Sequence, residues 1–182
     1  MKLSLFLLCL FHLATAIVLP SVNDWAQGGI ESLYKAISPV LGGDNSRFNN
    51  AFDGIISKGA TDFTWNGARI SRDEYRQNFI SQAAFATDVK VTFLNVVAVA
   101  DDNGPLWSGG VGEVGLFYNL TITTSDSLRL PATITNYQAS INLRVAEGVP
   151  PPPVVDGIRG YFDGRRVVQV NHIVARTGTT KD

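Results

Sequence analysis

The spacing of apolar residues changes once along this chain, and that change constrains its fold more than any other feature. Up to about residue 87 apolar side chains recur with the 3.6-residue period of a helix; beyond it they alternate with the period of two that belongs to strands. Helices first and an antiparallel meander afterwards is the layout of an α+β domain. Its helices pack on one face of the sheet.

Three helices fit the first part. In residues 21–38, Trp25, Ile30, Leu33, Tyr34 and Ile37 form an apolar stripe. Ser21 or Asn23 can cap it, Gly28-Gly29 weaken it, and Pro39 with Gly42-Gly43 ends it. Residues 46–58 place Phe48, Ala51, Phe52, Ile55 and Ile56 at helical spacing, with Ser46 as N-cap and Gly59 as C-cap. Residues 61–71 read as a short strand folded over an Asn66-Gly67 turn. Ser71 and Glu74 then form a capping box for a helix that turns Tyr75, Phe79, Ile80 and Ala83 inward.

The strands follow. In 88–100 both alternating sets are largely apolar, which predicts a strand covered on both faces. In 111–124 Val114, Leu116, Tyr118, Leu120 and Ile122 share one face, while Asn119 lies on the wetter side. In 132–146 Thr135, Tyr137, Ala139, Ile141, Leu143 and Val145 oppose a polar set. The Pro-rich stretch 148–157 must be extended, because prolines cannot donate to a ladder. A closing hairpin over Asp163-Gly164 ends in the strand VVQVNHIVAR, followed by a tail expected to fray.

Residues 1–16 have Lys2, an apolar run from Leu3 to Leu13 and an Ala-Thr-Ala end. This is the pattern of a secretory signal peptide cleaved after Ala16. The run is too short to span a bilayer, and no later stretch approaches the roughly 20 apolar residues required. The expectation is therefore a secreted protein with a single domain over 17–182, its core at about 23–176, and no membrane segment once the leader is gone. Cleavage also removes Cys9, the sole cysteine, so no disulfide, thiolate nucleophile or zinc–thiolate site remains. The chain has 15 Lys and Arg, one of them Lys2, against 16 Asp and Glu. This near balance without a basic run argues against nucleic acid. One histidine cannot make a His-rich metal site, and no acidic cluster has calcium-loop spacing. The residues thus call for no metal and no cofactor. Asn119-Leu120-Thr121 is a sequon, so Asn119 is a candidate glycan acceptor. The stretch GVGEVG (110–115) matches a dinucleotide fingerprint in letters only: a loop precedes it and a strand, not a helix, follows.

Two stretches, DFTWNGARISRDEYRQNF (62–79) and GYFDGRRVVQVNHIV (160–174), resemble the strand–turn–helix and the closing hairpin of the nuclear transport factor 2-like superfamily, in its SnoaL-like branch. The resemblance covers nearly all of 23–176. It implies a cone-shaped roll with three N-terminal helices on a curved, mostly antiparallel sheet, enclosing a pocket. In the closing strand of such enzymes the position of His172 often holds a cavity acid or base.

His172 shares a face with Val168, Val170 and Val174, and it can be an acid/base or a satisfied core histidine. Tyr34, Tyr75, Tyr118 and Tyr137 fall on inward faces, and Asn95 interrupts an apolar one, making these five the ligand-pocket candidates. Asp53, beside the apolar stripe of the second helix, can reach the cone but reads better as a solvated flank, Asp62 and Asp73 read as strand-start and helix-capping residues, and Trp65 and Trp107 as packing or mouth residues. The sequence shows no evident Asp–His or Arg–Asp pair of the kind on which the superfamily's dehydratases and epoxide hydrolases rely.

Two functions fit. In one the domain binds a hydrophobic small molecule, or forms a homodimer through its open sheet face, without chemistry. In the other it is a lyase, isomerase or cyclase acting on a polyketide- or terpenoid-like compound, with His172 as acid/base and tyrosines as donors. The missing carboxylate partner favours the first.

Overall fold

A computed structural model describes residues 20–37, 44–101, 110–124, 132–149 and 163–181. The proposed leader, Trp107, most of the Pro-rich stretch and the first arm of the closing hairpin lie outside them.

Helix α1 spans Val22–Ala36 and is capped by Ser21, whose hydroxyl accepts from the Asp24 N–H. Ala26, Ile30, Leu33 and Tyr34 form its buried face. The glycine pair is accommodated because Gly29 faces Ile55 of helix α2 (Ser46–Ile55) closely enough for a Cβ to touch it at 3.4 Å. Helix α2 begins at the expected residue 46 but ends at Ile55, three residues short of 58. Asn45, not Ser46, holds the N-cap position, and the Asp44 carboxylate accepts from the Ser46 N–H and hydroxyl. At the other end Ile56 leaves the helix to bridge Val167, and the Ser57 N–H bonds the Val167 carbonyl. A backbone partner on the sheet replaces the last helical turn, so Gly59 is not a cap.

Strands β1 (Asp62–Trp65) and β2 (Ala68–Ile70) turn over Asn66 and Gly67, whose φ angles of 51° and 81° are those of the type I′ turn that Asn-Gly favours. Helix α3 (Arg72–Gln82) opens with the complete Ser71–Glu74 capping box and buries Tyr75 and Phe79, with Ala83 behind them.

Strands β3 (Ala86–Ala100), β4 (Gly112–Thr124), β5 (Thr133–Glu147) and β6 (Arg165–Lys181) complete a six-stranded, unclosed sheet of order β2-β1-β6-β5-β4-β3. Every pairing is antiparallel except β1 alongside β6. Among the described residues the architecture is α+β, three helices against one face of a mostly antiparallel sheet. The inner face carries Leu116, Tyr118 and Leu120 from β4, Ile141 and Leu143 from β5, and Val167, Val170 and His172 from β6. Leu33, Phe48, Phe52 and Phe79 close on it from the helices.

Two bulges set which side chains reach that face. In β3 the register shifts between Phe93 and Asn95, so Val89, Val91 and Phe93 pack inward before it and Val96 and Ala98 after it. Leu94, Val97 and Val99 are in consequence each more than half exposed, as are Phe117 of β4 and Ile173 of β6. The expectation that this strand is covered on both faces is therefore corrected: the helices cover one face only. In β6 the register shifts around Val168, which leaves the inward set as Arg165, Val167, Val170, His172 and Val174. The tail expected to fray instead continues the strand, with Gly178 to Lys181 paired to Asn136 to Thr133. Gly112 starts β4 with φ of 149°, and a Cβ there would lie 2.1 Å from the Val99 carbonyl oxygen. Close strand approach, not phosphate binding, accounts for that glycine.

Candidate functional site

Strand β6 holds His172 between Ile141 of β5 and Trp65 of β1. The Asn66 turn fixes it there: the Asn66 N–H bonds the His172 carbonyl at 2.8 Å, and the Val174 N–H bonds Asn66 Oδ1 at 2.7 Å. The imidazole is fully buried. Trp65 meets it edge-on with centroids 4.5 Å apart, and Phe79, Tyr75 and Tyr118 follow at 5.8, 6.0 and 6.1 Å.

Both ring nitrogens are engaged. The Tyr75 hydroxyl lies 3.2 Å from Nδ1 and the Tyr118 hydroxyl 2.8 Å from Nε2. The Tyr118 hydroxyl is 3.4 Å from that of Tyr34, which donates to Gln82 Oε1 at 3.0 Å. Burial alone lowers the imidazole pKa to about 3, so His172 is neutral near pH 7. Burial likewise raises Tyr34, Tyr75 and Tyr118 well above the ordinary phenol value, with like-charge repulsion among the phenolates adding to it. All three stay protonated. The arrangement is a chain of neutral groups, each a donor or an acceptor and none charged.

The structure thus brings together His172, Tyr34, Tyr75 and Tyr118 of the sequence candidates. Tyr137 is partly buried at the margin of the same core and has no hydrogen bond to the chain. Asn95 is turned outward by the β3 bulge, and its Oδ1 accepts from the Val96 N–H at 2.9 Å, so it is not a pocket residue. Asn119 lies on the outer face between Thr92 and Gln138. Asp53 is a flank residue paired with Arg72 at 2.7 Å and Lys58 at 3.6 Å. The Arg72 hydrogen bond holds its carboxyl below the usual range, against the opposing effect of burial. Asp62 begins β1, and Asp73 pairs with Arg76 in the first turn of α3. Trp107 lies outside the described residues.

Arg–Asp pairs form elsewhere among the described residues: Arg72–Asp53, Arg76–Asp73, Arg144–Asp101 and Arg165–Asp163. None of them bonds the tyrosine–histidine chain. Among the described residues no carboxylate bonds His172, and no group of three His, Cys, Asp or Glu is placed to hold a metal.

Two residues escaped the sequence reading. Gln82 stands seven positions after Tyr75 and three after Phe79, on the same inward stripe of α3, and only its polar side chain disguised it. Arg165 is fully buried, bonded to Asp163 and to the Pro20 carbonyl and stacked 5.3 Å over Trp25. Strict alternation counted back from His172 puts it on the outer face; the bulge at Val168 brings it in.

Compared with known proteins, the chain matches no family model and no curated sequence.

Proposed function

We propose that this domain binds a hydrophobic small molecule without transforming it, in a secreted protein left by cleavage after Ala16. The resemblance to the SnoaL-like branch of the nuclear transport factor 2-like superfamily supports a cone-shaped roll for that purpose. The observation that carries the non-catalytic reading is the state of His172. A general base is most useful with a pKa near the operating pH, whereas this imidazole is neutral down to about pH 3 and has a tyrosine on each nitrogen. The alternative, a lyase, isomerase or cyclase using His172 as acid/base, needs a proton that burial keeps off the ring. Around the chain the interior is aromatic, from Phe48, Phe52, Phe63 and Phe79 with Trp65, so a ligand that reaches it must be apolar and must displace packed side chains.

Mass spectrometry of small molecules copurifying with the secreted protein tests the reading. An apolar compound recovered unchanged from wild type and from His172→Ala supports binding without chemistry. A product formed by wild type and absent with His172→Ala overturns it.

Homodimer formation is a second reading, favoured by the outward Leu94, Val97, Val99, Phe117 and Ile173, which cluster on β3, β4 and β6. Asn119 is the proposed glycan acceptor of the secreted form.

A further inference from the structure

The chain Tyr75–His172–Tyr118–Tyr34–Gln82 has a direction, which follows from the protons available to it. Tyr34 donates to Gln82 Oε1, an atom that can only accept. With its one proton used, Tyr34 accepts from Tyr118. Tyr118 then has no proton for the imidazole and accepts from Nε2–H. Nδ1 is left as the bare nitrogen, and Tyr75 donates to it. Each of these links takes one proton, and the surplus is the pair of N–H bonds on the Gln82 amide.

The reverse direction, with the amide turned over, would strand the Tyr75 hydroxyl proton. That hydroxyl belongs to a fully buried ring packed against Phe52, Phe63 and Trp65, and among the described residues only the imidazole hydrogen-bonds it. A stranded donor in an apolar core is costly. The forward direction moves the unsatisfied protons from there to the last residue of α3. Gln82 Nε2 is buried and has no hydrogen-bond partner among the described residues.

The geometry points to Gln82 as a donor site for the carbonyl oxygen of an otherwise apolar ligand, with the one-way chain behind it holding the amide in that orientation. The inference rests on the binding reading above and names the ligand's polar group. A keto, ester or amide oxygen fits better than a carboxylate, because an uncompensated anion is far costlier to bury than a neutral acceptor. Three residues on, Phe85 holds φ of 66° with its ring about half exposed. A bulky residue in the left-handed region is a true outlier, and here it sets an aromatic ring on the turn that follows Gln82. A ligand carbonyl on Nε2 would satisfy the stranded N–H and offset part of the cost of moving the side chains that cover it.

The test uses two environment-sensitive naphthalene dyes, one bearing an acyl group and one with the same ring system lacking it. They are titrated into the wild-type chain, into Gln82→Met, which keeps length but has no amide, and into Gln82→Leu, which has no polar group at all. Wild type is expected to bind the ketone about tenfold more tightly than its partner, and both variants to lose that preference while still binding the plain dye. A ketone preference that survives in both variants overturns the donor site. So does wild-type binding of the two dyes alike, which leaves the binding reading standing. Wild type binding neither dye overturns both. Nitrogen NMR of His172 tests the direction independently of any ligand: protonated Nε2 and bare Nδ1 agree with it, and the opposite tautomer contradicts it.

Discussion

His172 shows how burial decides the role of a titratable side chain. Its folded pKa of about 3 lies below the ordinary 6.5. The unfolded chain therefore takes up a proton below about pH 6.5 that the folded chain refuses until about pH 3. Stability contributed by keeping this ring neutral is complete above the unfolded value and falls as pH drops through that interval, by up to about 1.4 kcal/mol per pH unit. Asp53 and Glu74, lowered by hydrogen bonds from Arg72 and from Ser71, act in the same direction but below the ordinary carboxylate range. The upper part of the window, about pH 6.5 to 5, accordingly belongs to His172. Urea denaturation across it is expected to show a falling midpoint in wild type and a flat one in His172→Gln; equal slopes would assign the effect elsewhere. At this scale much was legible in advance. Tyr34, Tyr75 and Tyr118 lie on inward stripes that periodicity alone picks out. Alternation alone misplaces Asn95, because a bulge reverses phase without changing the alternation of letters, and Gln82 is hidden because a polar residue on a buried stripe looks like an error in the pattern.

Among the elements, β6 joins most of the structure: β5 on one side, β1 on the other, and the Ile56 bridge from the end of α2. Arg165 anchors its first residue. The guanidinium is fully buried, makes several hydrogen bonds to Asp163 and one to Pro20, and so ties the start of α1 to the start of β6. Burial raises the Asp163 pKa, but the Arg165 hydrogen bonds outweigh it and leave the carboxyl below its usual value. Arg165→Ala would leave a mostly buried carboxylate without its partner and is expected to cost about 3–5 kcal/mol. A chemical denaturation midpoint within error of wild type would show that the clamp is not needed. Helix caps and the Asn-Gly turn were readable as local chemistry. The parallel pairing of β1 with β6 was not, because nothing in either strand encodes a partner about a hundred residues away in sequence.

The switch of period near residue 87 foretold the α+β layout of the whole molecule, and the filled aromatic side of the sheet agrees with it. The exposed side departs from expectation, since the apolar residues thought to be covered twice stand in solvent. Phe117, near its centre, has Ile173 two strands away along the same row, through Ser140. Asn119 lies two residues from Phe117 on that face, so a glycan there would obstruct pairing. If Asn119 carries the proposed glycan, sedimentation after its enzymatic removal is expected to give a dimer that Phe117→Ser returns to monomer, while the glycosylated form stays monomeric. A deglycosylated chain that remains monomeric at high concentration would rule out the sheet face as an interface.

The central claim is that the one histidine at the candidate site is a neutral link and not an acid or base. Nitrogen and carbon NMR of the His172 ring across about pH 4.5 to 8 measures this directly. The account predicts a neutral imidazole with constant shifts over that range; an inflection between about pH 6 and 7 would contradict it and return His172 to catalysis.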